Sequence, residues 1–382
     1  MIMNNETGKE KILKILSNII NIFALIILIL LNEFSFEIIF QKSFTAIDKL
    51  RYFNLIIIVS ILINIIIFKI KIKFKSKIFL IFFLVVLLDY SGNYFNVGYK
   101  FNTDKETNVR YKTPYDMFRG RPNILNNNKF GFKGPTPNNL ENNIIKIAFF
   151  AGSNGVNGDP NIAEELSNIL NKNNYNNKVY NFSSESSNHT QHLHRLVEFL
   201  NYEFDYVIFF GGINETLQYI YFDPRIGYPY NFFINELSPI KYLILTYSNI
   251  IGEIDKQLGL ISGLKKLQKN ANDNPVRLNN IVDYYFDLMK KTNSIVLNSI
   301  KPSTCKETKF IGILQPFNSD NIKFIKMYEM IQNELKNYPY LFDYSDLNQK
   351  IDFVDEAHFN QESVNTISFK IFNQLKTSLN NC

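Results

Sequence analysis

From residue 144 onward, short apolar runs alternate with segments whose apolar residues recur at helical spacing. Residues 144–151 are apolar apart from Lys146 and stop at Gly152, which fits a strand buried on both faces. Residues 178–182, 205–210, 310–314 and 340–342 read as further strands, the last one short. Between them, residues 161–171 set Ile162, Leu166 and Leu170 on one helix face. Residues 190–200, 322–335 and 360–375 also carry a helical pattern. This alternation predicts the α/β class: a three-layer sandwich around a mostly parallel, five-stranded sheet. Reactive groups in such sheets collect beyond the carboxyl ends of the strands. No internal repeat is visible.

Residues 216–275 interrupt the alternation between the third and fourth strands. They hold an aromatic cluster around Tyr219, Tyr221, Phe222, Tyr228 and Tyr230, then an amphipathic stretch. Two readings stay open: a cap over the active face, or packing against the sheet or a membrane surface. Residues 96–143 are polar and punctuated by Gly and Pro, yet Tyr111, Tyr115, Phe118, Phe130 and Phe132 offer packing surface. They read as an extended lead-in to a domain at 144–382.

Residues 1–95 differ in kind. Residues 15–31 and 53–68 are uncharged and nearly all apolar, close to the ~20 residues of a spanning helix. Residues 78–88 form a shorter run that must extend past Asp89 to cross; a re-entrant or interfacial piece is the alternative. Lys9, Lys11 and Lys14 precede the first run, and five lysines from Lys69 to Lys77 separate the second from the third. Cytoplasmic loops collect Lys and Arg. The expectation is a multi-pass membrane anchor of two or three transmembrane helices with the N-terminus inside. Three crossings put the domain outside the cytoplasm, two put it inside. No small-residue cleavage site follows Leu31, which disfavours a removable signal peptide.

Composition adds little to this picture. Abundant Asn, Ile and Lys follow from an AT-rich gene, so Asn-rich stretches carry no signal of their own. The net charge of +6 sits largely beside the apolar N-terminal runs, so nucleic acid is not an expected partner. Cys305 and Cys382 are the only cysteines: too few for a zinc ribbon, enough for one bond if the chain is exported.

The chemistry lies at the strand ends. Gly152-Ser153 follows the first strand, and Gly212-Ile213-Asn214-Glu215 follows the third. Near the C-terminus stands Asp355-Glu356-Ala357-His358. A serine hydroxyl becomes a nucleophile when a base takes its proton. His358 is the candidate base and Asp355 its orienting acid, with Asp352 as a rival acid. An oxyanion needs donors; the Ser153 and Ser186 N–H groups and the Asn214 amide are the candidates. Taken singly, Gly-Ser is often only a turn, and Asp-x-x-His only a cap beside a surface histidine.

Together these blocks resemble the SGNH hydrolases, the GDSL-type esterase and lipase superfamily. Ala151-Gly152-Ser153 is similar to the first block, residues 181–186 to the second, Gly212-Ile213-Asn214-Glu215 to the third and Asp355-Glu356-Ala357-His358 to the last. Ser186 replaces the second-block Gly, where positive φ is expected, and Glu215 replaces Asp. The lead-in at 128–134 and the run at 223–229 resemble a membrane-anchored subgroup. The resemblance implies a flavodoxin-like sheet, a Ser153–His358–Asp355 triad and no cofactor. It implies a membrane-tethered esterase whose substrate is an ester, O-acetyl first, on a surface glycan or lipid. O-acyl transfer during surface-polysaccharide modification and an inactive glycan-binding module are the alternatives.

His189, His192 and His194 cluster after the second strand. One of them can line the active face; solvent-exposed filler is the plainer reading. No metal is expected, because His192 and His194 lie on different helix faces. Gly152, Gly155 and Gly158 imitate a dinucleotide loop, but the acid expected at the end of the second strand is missing.

Overall fold

The computed structural model describes residues 44–68, 74–94 and most of 110–382, with omissions chiefly between 230 and 275. The chain divides into two compact units. One comprises Met1–Thr103 with Leu237–Ser262, the other Asp104–Glu236 with Gly263–Cys382.

Two long helices are described in the first unit, α1 (Phe44–Phe68) and α2 (Phe74–Tyr94). Val59 and Leu88 are buried between them, packed by Leu55, Ile56, Ile63 and Leu84. Phe79, Phe82, Phe83 and Leu87 stand exposed. Two polar side chains of α1 bond within the helix: Ser60 Oγ donates to the Ile56 carbonyl and Asn64 Nδ2 to that of Ser60. Ser248 Oγ donates to Asp89, tying part of the 216–275 interruption to α2.

The expected apolar run at 15–31 lies almost wholly outside the described residues; the runs at 53–68 and 78–88 fall within α1 and α2. Among the described residues no helix is long and apolar enough to cross a membrane. The expected N-terminal transmembrane helices therefore find no support in the fold. For α2 the reason is visible: Lys77 and Asp89 bracket the apolar run 78–88, which rises only about 17 Å against ~30 Å of hydrocarbon.

The second unit is an α/β sandwich. Its lead-in pairs two short antiparallel strands, β1 (Arg110–Tyr111) and β2 (Arg119–Gly120). The chain then runs β3 (Ile145–Ala151), α3 (Ile162–Lys172), β4 (Asn177–Asn181), α4 (His189–Glu198), β5 (Tyr206–Gly211) and α5 (Ile213–Tyr221). After the interruption come α6 (Arg277–Ser299), β6 (Lys309–Leu314), α7 (Ile322–Leu335), β7 (Leu341–Asp343) and α8 (Gln361–Leu379). The sheet order is β4-β3-β5-β6-β7, with all four pairings parallel.

Side-chain alternation separates the two faces of the sheet. Ala148, Phe150, Val207 and Phe209 pack with Leu196 of α4, Met289 and Val296 of α6, and Ile331 of α7. Ile147, Phe149, Ile208 and Phe210 pack with Leu166 and Leu170 of α3 and with Ile367 and Ile371 of α8. Every residue of β3 and β5 is buried, as expected for central parallel strands. Asn161 caps α3 in a reciprocal box with Glu164, which fixes where that helix begins.

The five expected strands and four expected helices are present, shifted by a few residues at most. Two helices were not foreseen. The short α5 begins at Ile213 and overlaps the start of the stretch read as an interruption. The 23-residue α6 buries Ile281, Tyr285, Leu288, Met289, Thr292 and Val296 on one face. Its Asn- and Ser-rich exposed face weakens local helix propensity, so packing decides.

At the amino end of the sheet, Asp205 is fully buried and its carboxylate accepts the N–H groups of Lys146, Ser303, Thr304 and Cys305. Cys305 in that loop is disulfide-bonded to Cys382, across 77 residues of chain. Closing so long a loop removes unfolded-state entropy equivalent to about 4 kcal/mol. Cys382→Ser is expected to lower the unfolding free energy of oxidised protein by that order. Urea curves that coincide for the two proteins would show that the bond contributes nothing.

Candidate active site

The turn that carries the candidate nucleophile Ser153 begins where β3 ends. Gly152 leads into a 3-10 turn at Ser153–Gly155. A Cβ at position 152 would lie 2.5 Å from Asn214 Nδ2, so glycine leaves room for that amide against the Ser153 turn.

The acid and base arrive together. Phe353 and Phe359 form an antiparallel bridge, and the Val354 N–H donates to the His358 carbonyl, so residues 353–359 make a small hairpin. Phe359 anchors it against Phe210 of β5. Asp355 Oδ1 accepts the N–H groups of Ala357 and His358, each at 2.8 Å. The same carboxylate lies 2.7 and 2.9 Å from His358 Nδ1. A carboxylate only accepts, so Nδ1 carries the proton and Nε2 presents a lone pair. Ser153 Oγ lies 2.7 Å from that Nε2, although 205 positions separate the two residues. Partial burial raises the Asp355 pKa, but the Ala357 N–H, the imidazole and the His358 N–H outweigh it and hold the carboxyl below its ordinary value. The pair is open to solvent, with side-chain exposures of 34 % for His358 and 56 % for Asp355.

Asp352, the rival acid, is engaged elsewhere. Its Oδ2 accepts from Asn360 Nδ2 and its backbone bonds Ser363 Oγ at the start of α8.

Hydrogen bonds also dock the hairpin. Asn154 Nδ2 donates to the Ala357 carbonyl at 2.7 Å, and the Asn318 N–H donates to the Glu356 carbonyl at 3.0 Å. Asn154 directly follows the candidate nucleophile Ser153, so one residue ties the Ser153 turn to the 353–359 hairpin. Sequence reasoning passed over it because Asn is common throughout this chain.

The candidate oxyanion donors cluster around Ser187. The Ser187 N–H donates to the Ser184 carbonyl, closing a turn that holds Ser186 at φ 56°. This is the left-handed conformation expected where the family motif has Gly. The Ser187 carbonyl accepts from Asn214 Nδ2 at 2.8 Å, which fixes the orientation of that amide. Gly212 adopts φ 110°, and its N–H donates to Glu215 Oε2 at 2.8 Å. Glu215 Oε1 accepts the His189 N–H, so a single buried carboxylate joins the start of α5 to the start of α4.

His189 and His192 are not solvent-exposed filler. Both are buried beneath the Ser184–Ser187 turn because α4 turns this face towards the sheet. His192 Nε2 lies 3.1 Å from Ser187 Oγ, and the two Nδ1 atoms are 3.0 Å apart. Among the described residues no group of three or more His, Cys, Asp or Glu side chains is placed to hold a metal ion. Arg195, also buried, donates to Asp116 Oδ1 at 2.7 Å, and Asp116 in turn binds Arg119 of β2. The lead-in therefore packs directly under the candidate site. No sequence motif marked Ser187, Asp116 or Arg195.

No protein-family model matches the chain, and no curated protein matches it in sequence. Among solved structures, the psychrotrophic esterase EstA from Pseudoalteromonas sp. is similar at 12 % identity and a TM-score of 0.33, covering 62 % of this chain and 99 % of its own. An acetyl xylan esterase, Est2A, from the rumen bacterium Butyrivibrio proteoclasticus shows 12 % identity and a TM-score of 0.31, covering 69 % of this chain and 67 % of its own. A gut microbial diltiazem-metabolizing enzyme shows 11 % identity and a TM-score of 0.36, covering 63 % and 47 %.

A non-glycine residue in the left-handed region costs about 1–2 kcal/mol. Ser186→Gly is expected to leave the fold intact and raise the unfolding free energy by up to about 1 kcal/mol, read from thermal or urea denaturation. A clear loss of stability would show that the Ser186 side chain supports the turn.

Proposed function

We propose that this protein is a serine esterase whose α/β unit cleaves an ester by acyl transfer through Ser153. One observation carries the reading: the unbroken chain Ser153 Oγ, His358 Nε2, His358 Nδ1 and the Asp355 carboxylate, with 2.7 Å at each step. In this mechanism His358 accepts the Ser153 proton as Oγ attacks the ester carbonyl, then returns it to the departing alcohol. Asp355 holds the tautomer and balances the imidazolium. The Ser153 and Ser186 N–H groups and Asn214 Nδ2 bind the oxyanion. Water then repeats the sequence on the acyl-enzyme and frees the acid.

The exposure of His358 and Asp355 supports a bulky substrate that meets the site at the surface, and we assign it as an O-acyl ester, O-acetyl first, on a glycan or lipid. A sugar hydroxyl replacing water in the second half-reaction makes the same site an O-acyltransferase; turnover that rises with added glycan acceptor distinguishes the two. We place the α/β unit outside the cytoplasm, tethered to a membrane. Support comes from the Cys305–Cys382 bond, since disulfides persist in oxidising compartments, and from the apolar exposed side chains of α2. A reporter-fusion topology map tests that placement; cytoplasmic signal from a C-terminal fusion rejects it.

Hydrolysis of p-nitrophenyl acetate by the full-length protein is expected to fall by about 10³-fold or more in Ser153→Ala, with fluorophosphonate labelling lost in parallel. Equal rates for the two proteins reject the assignment. Asp355→Asn is expected to lower kcat by a similar factor, because the wrong tautomer then faces Ser153. The folded-state pKa of Asp355 is depressed, so its ionised form persists above the ordinary carboxylate range and is lost only as pH falls through the lowered value. Carbon-13 NMR of the Asp355 carboxyl is therefore expected to show the ionised form throughout about pH 5 to 8. A protonated carboxyl within that window contradicts an ionised Asp355.

A further inference from the structure

Ser187 is the joint on which two of the proposed oxyanion donors hang. Its carbonyl orients Asn214 Nδ2. Its hydroxyl lies 2.7 Å from the Ser184 carbonyl and 3.2 Å from that of Ala151, across the turn that carries Ser186. Two nitrogens reach the same oxygen from below: His192 Nε2 at 3.1 Å and Arg195 Nη1 at 3.3 Å.

A hydroxyl has one proton and two lone pairs. The proton goes to a carbonyl, and Ser184 offers the nearer one. Arg195 can only donate, so it takes one lone pair. A bare His192 Nε2 would compete with two carbonyls for a single proton. A protonated Nε2 instead fills the second lone pair and completes the set. The neutral ring then presents Nδ1 as an acceptor, and His189 Nδ1 stands 3.0 Å away to supply the hydrogen. The hydrogen bonds run in one direction, from His189 through His192 and Ser187 to Ser184. The groups around His192 agree with this order. Phe150 and Phe209 pack its ring, Arg195 is the nearby cation, and Glu215 lies beyond His189. Burial, then the proximity of His189 and Arg195, push the His192 pKa well below its ordinary value, against the Ala151 carbonyl. Burial lowers that of His189 too, against the charge of Glu215.

We propose that His192 is a positioning residue of the oxyanion site: a permanently neutral imidazole, locked as the Nε2–H tautomer, that fixes Ser187 and through it Ser186 N–H and Asn214. This rests on the esterase reading and deepens it. His192 touches no substrate; its effect passes through the alignment of two donors, which counts in the transition state more than in the bound ester.

The test compares full-length wild type, His192→Gln, His192→Leu, Asn214→Ala and the His192→Leu/Asn214→Ala double variant with p-nitrophenyl acetate. A glutamine amide can place an N–H near the position of Nε2; leucine cannot. His192→Leu is expected to lower kcat about tenfold to hundredfold with KM within about twofold, and His192→Gln to stay within about threefold of wild type. The double variant should lose less than the product of the single losses, because both act on one donor. His192→Leu at the wild-type rate, His192→Gln as slow as His192→Leu, or losses that multiply would each overturn the proposal. Should His192→Leu not fold, nitrogen-15 NMR of histidine-labelled wild type decides. A neutral Nε2–H ring from about pH 6 to 8 supports it; an Nδ1–H ring or an imidazolium in that window overturns it. A wild type without ester turnover fails the esterase reading and this inference together, whereas a slow His192→Gln beside an active wild type fails this inference alone.

Discussion

The side-by-side pairing of β3 with β5 governs what happens at the carboxyl end of the sheet. The first central strand in sequence hydrogen-bonds the third, from Ile147 opposite Tyr206 to Ala151 opposite Phe210. The second strand, β4, is sent to the other side of β3. Connections from such a switch point leave on opposite faces and open a crevice between them. Ser153 leaves β3 there, the Ser184–Ser187 turn follows β4, and Asn214 follows β5. Gly152 completes the constraint. Without a Cβ it lets the Asn214 amide lie almost on the backbone of the nucleophile turn. A methyl at this point would displace the Asn214 amide from the position its bond to the Ser187 carbonyl gives it.

Beneath that crevice the interior is unusually polar for the face of a parallel sheet. Asp116, Arg195, His192, His189 and Glu215 are all buried beside Phe150 and Phe209. Buried polar groups are tolerable only when they are hydrogen-bonded. Here the bonds run from the lead-in, through α4, to the turns that bear the candidate donors. The result is stiffness where a left-handed serine needs to be held. Two atoms stand outside this satisfaction: His189 Nε2 and Arg195 Nη2 are buried with no hydrogen-bond partner among the described residues.

Much of this was legible in the sequence, for definite reasons. The strands were readable because central parallel strands are buried on both faces and therefore spell continuous apolar runs. Ser153, Asp355 and His358 were readable because Asp-x-x-His places acid and base within one turn and because Gly-Ser follows a strand. The need for positive φ at residue 186 followed from the motif, although a serine occupies it. Helix α6 escaped because its exposed face is written in Asn and Ser, which suit loops equally well. Asn154 and Ser187 escaped because their importance lies in which carbonyl they meet, a fact of tertiary structure with no local trace. The buried histidines were misjudged because a His-x-x-His step on a helix does not say which way the helix faces.

The hairpin at 353–359 contains both the acid and the base, and its internal bonds are local. Its internal geometry is therefore local, while its placement depends on Asn154, Phe210 and Asn318. Chain can be added to the connections between Asn214 and Phe353 without touching those internal bonds, provided the hairpin still meets Asn154, Asn318 and Phe210. Variation in this architecture has a natural outlet there, because adding chain to an existing connection costs little conformational entropy. The excursion of Leu237–Ser262 into a separate unit shows the chain using that freedom.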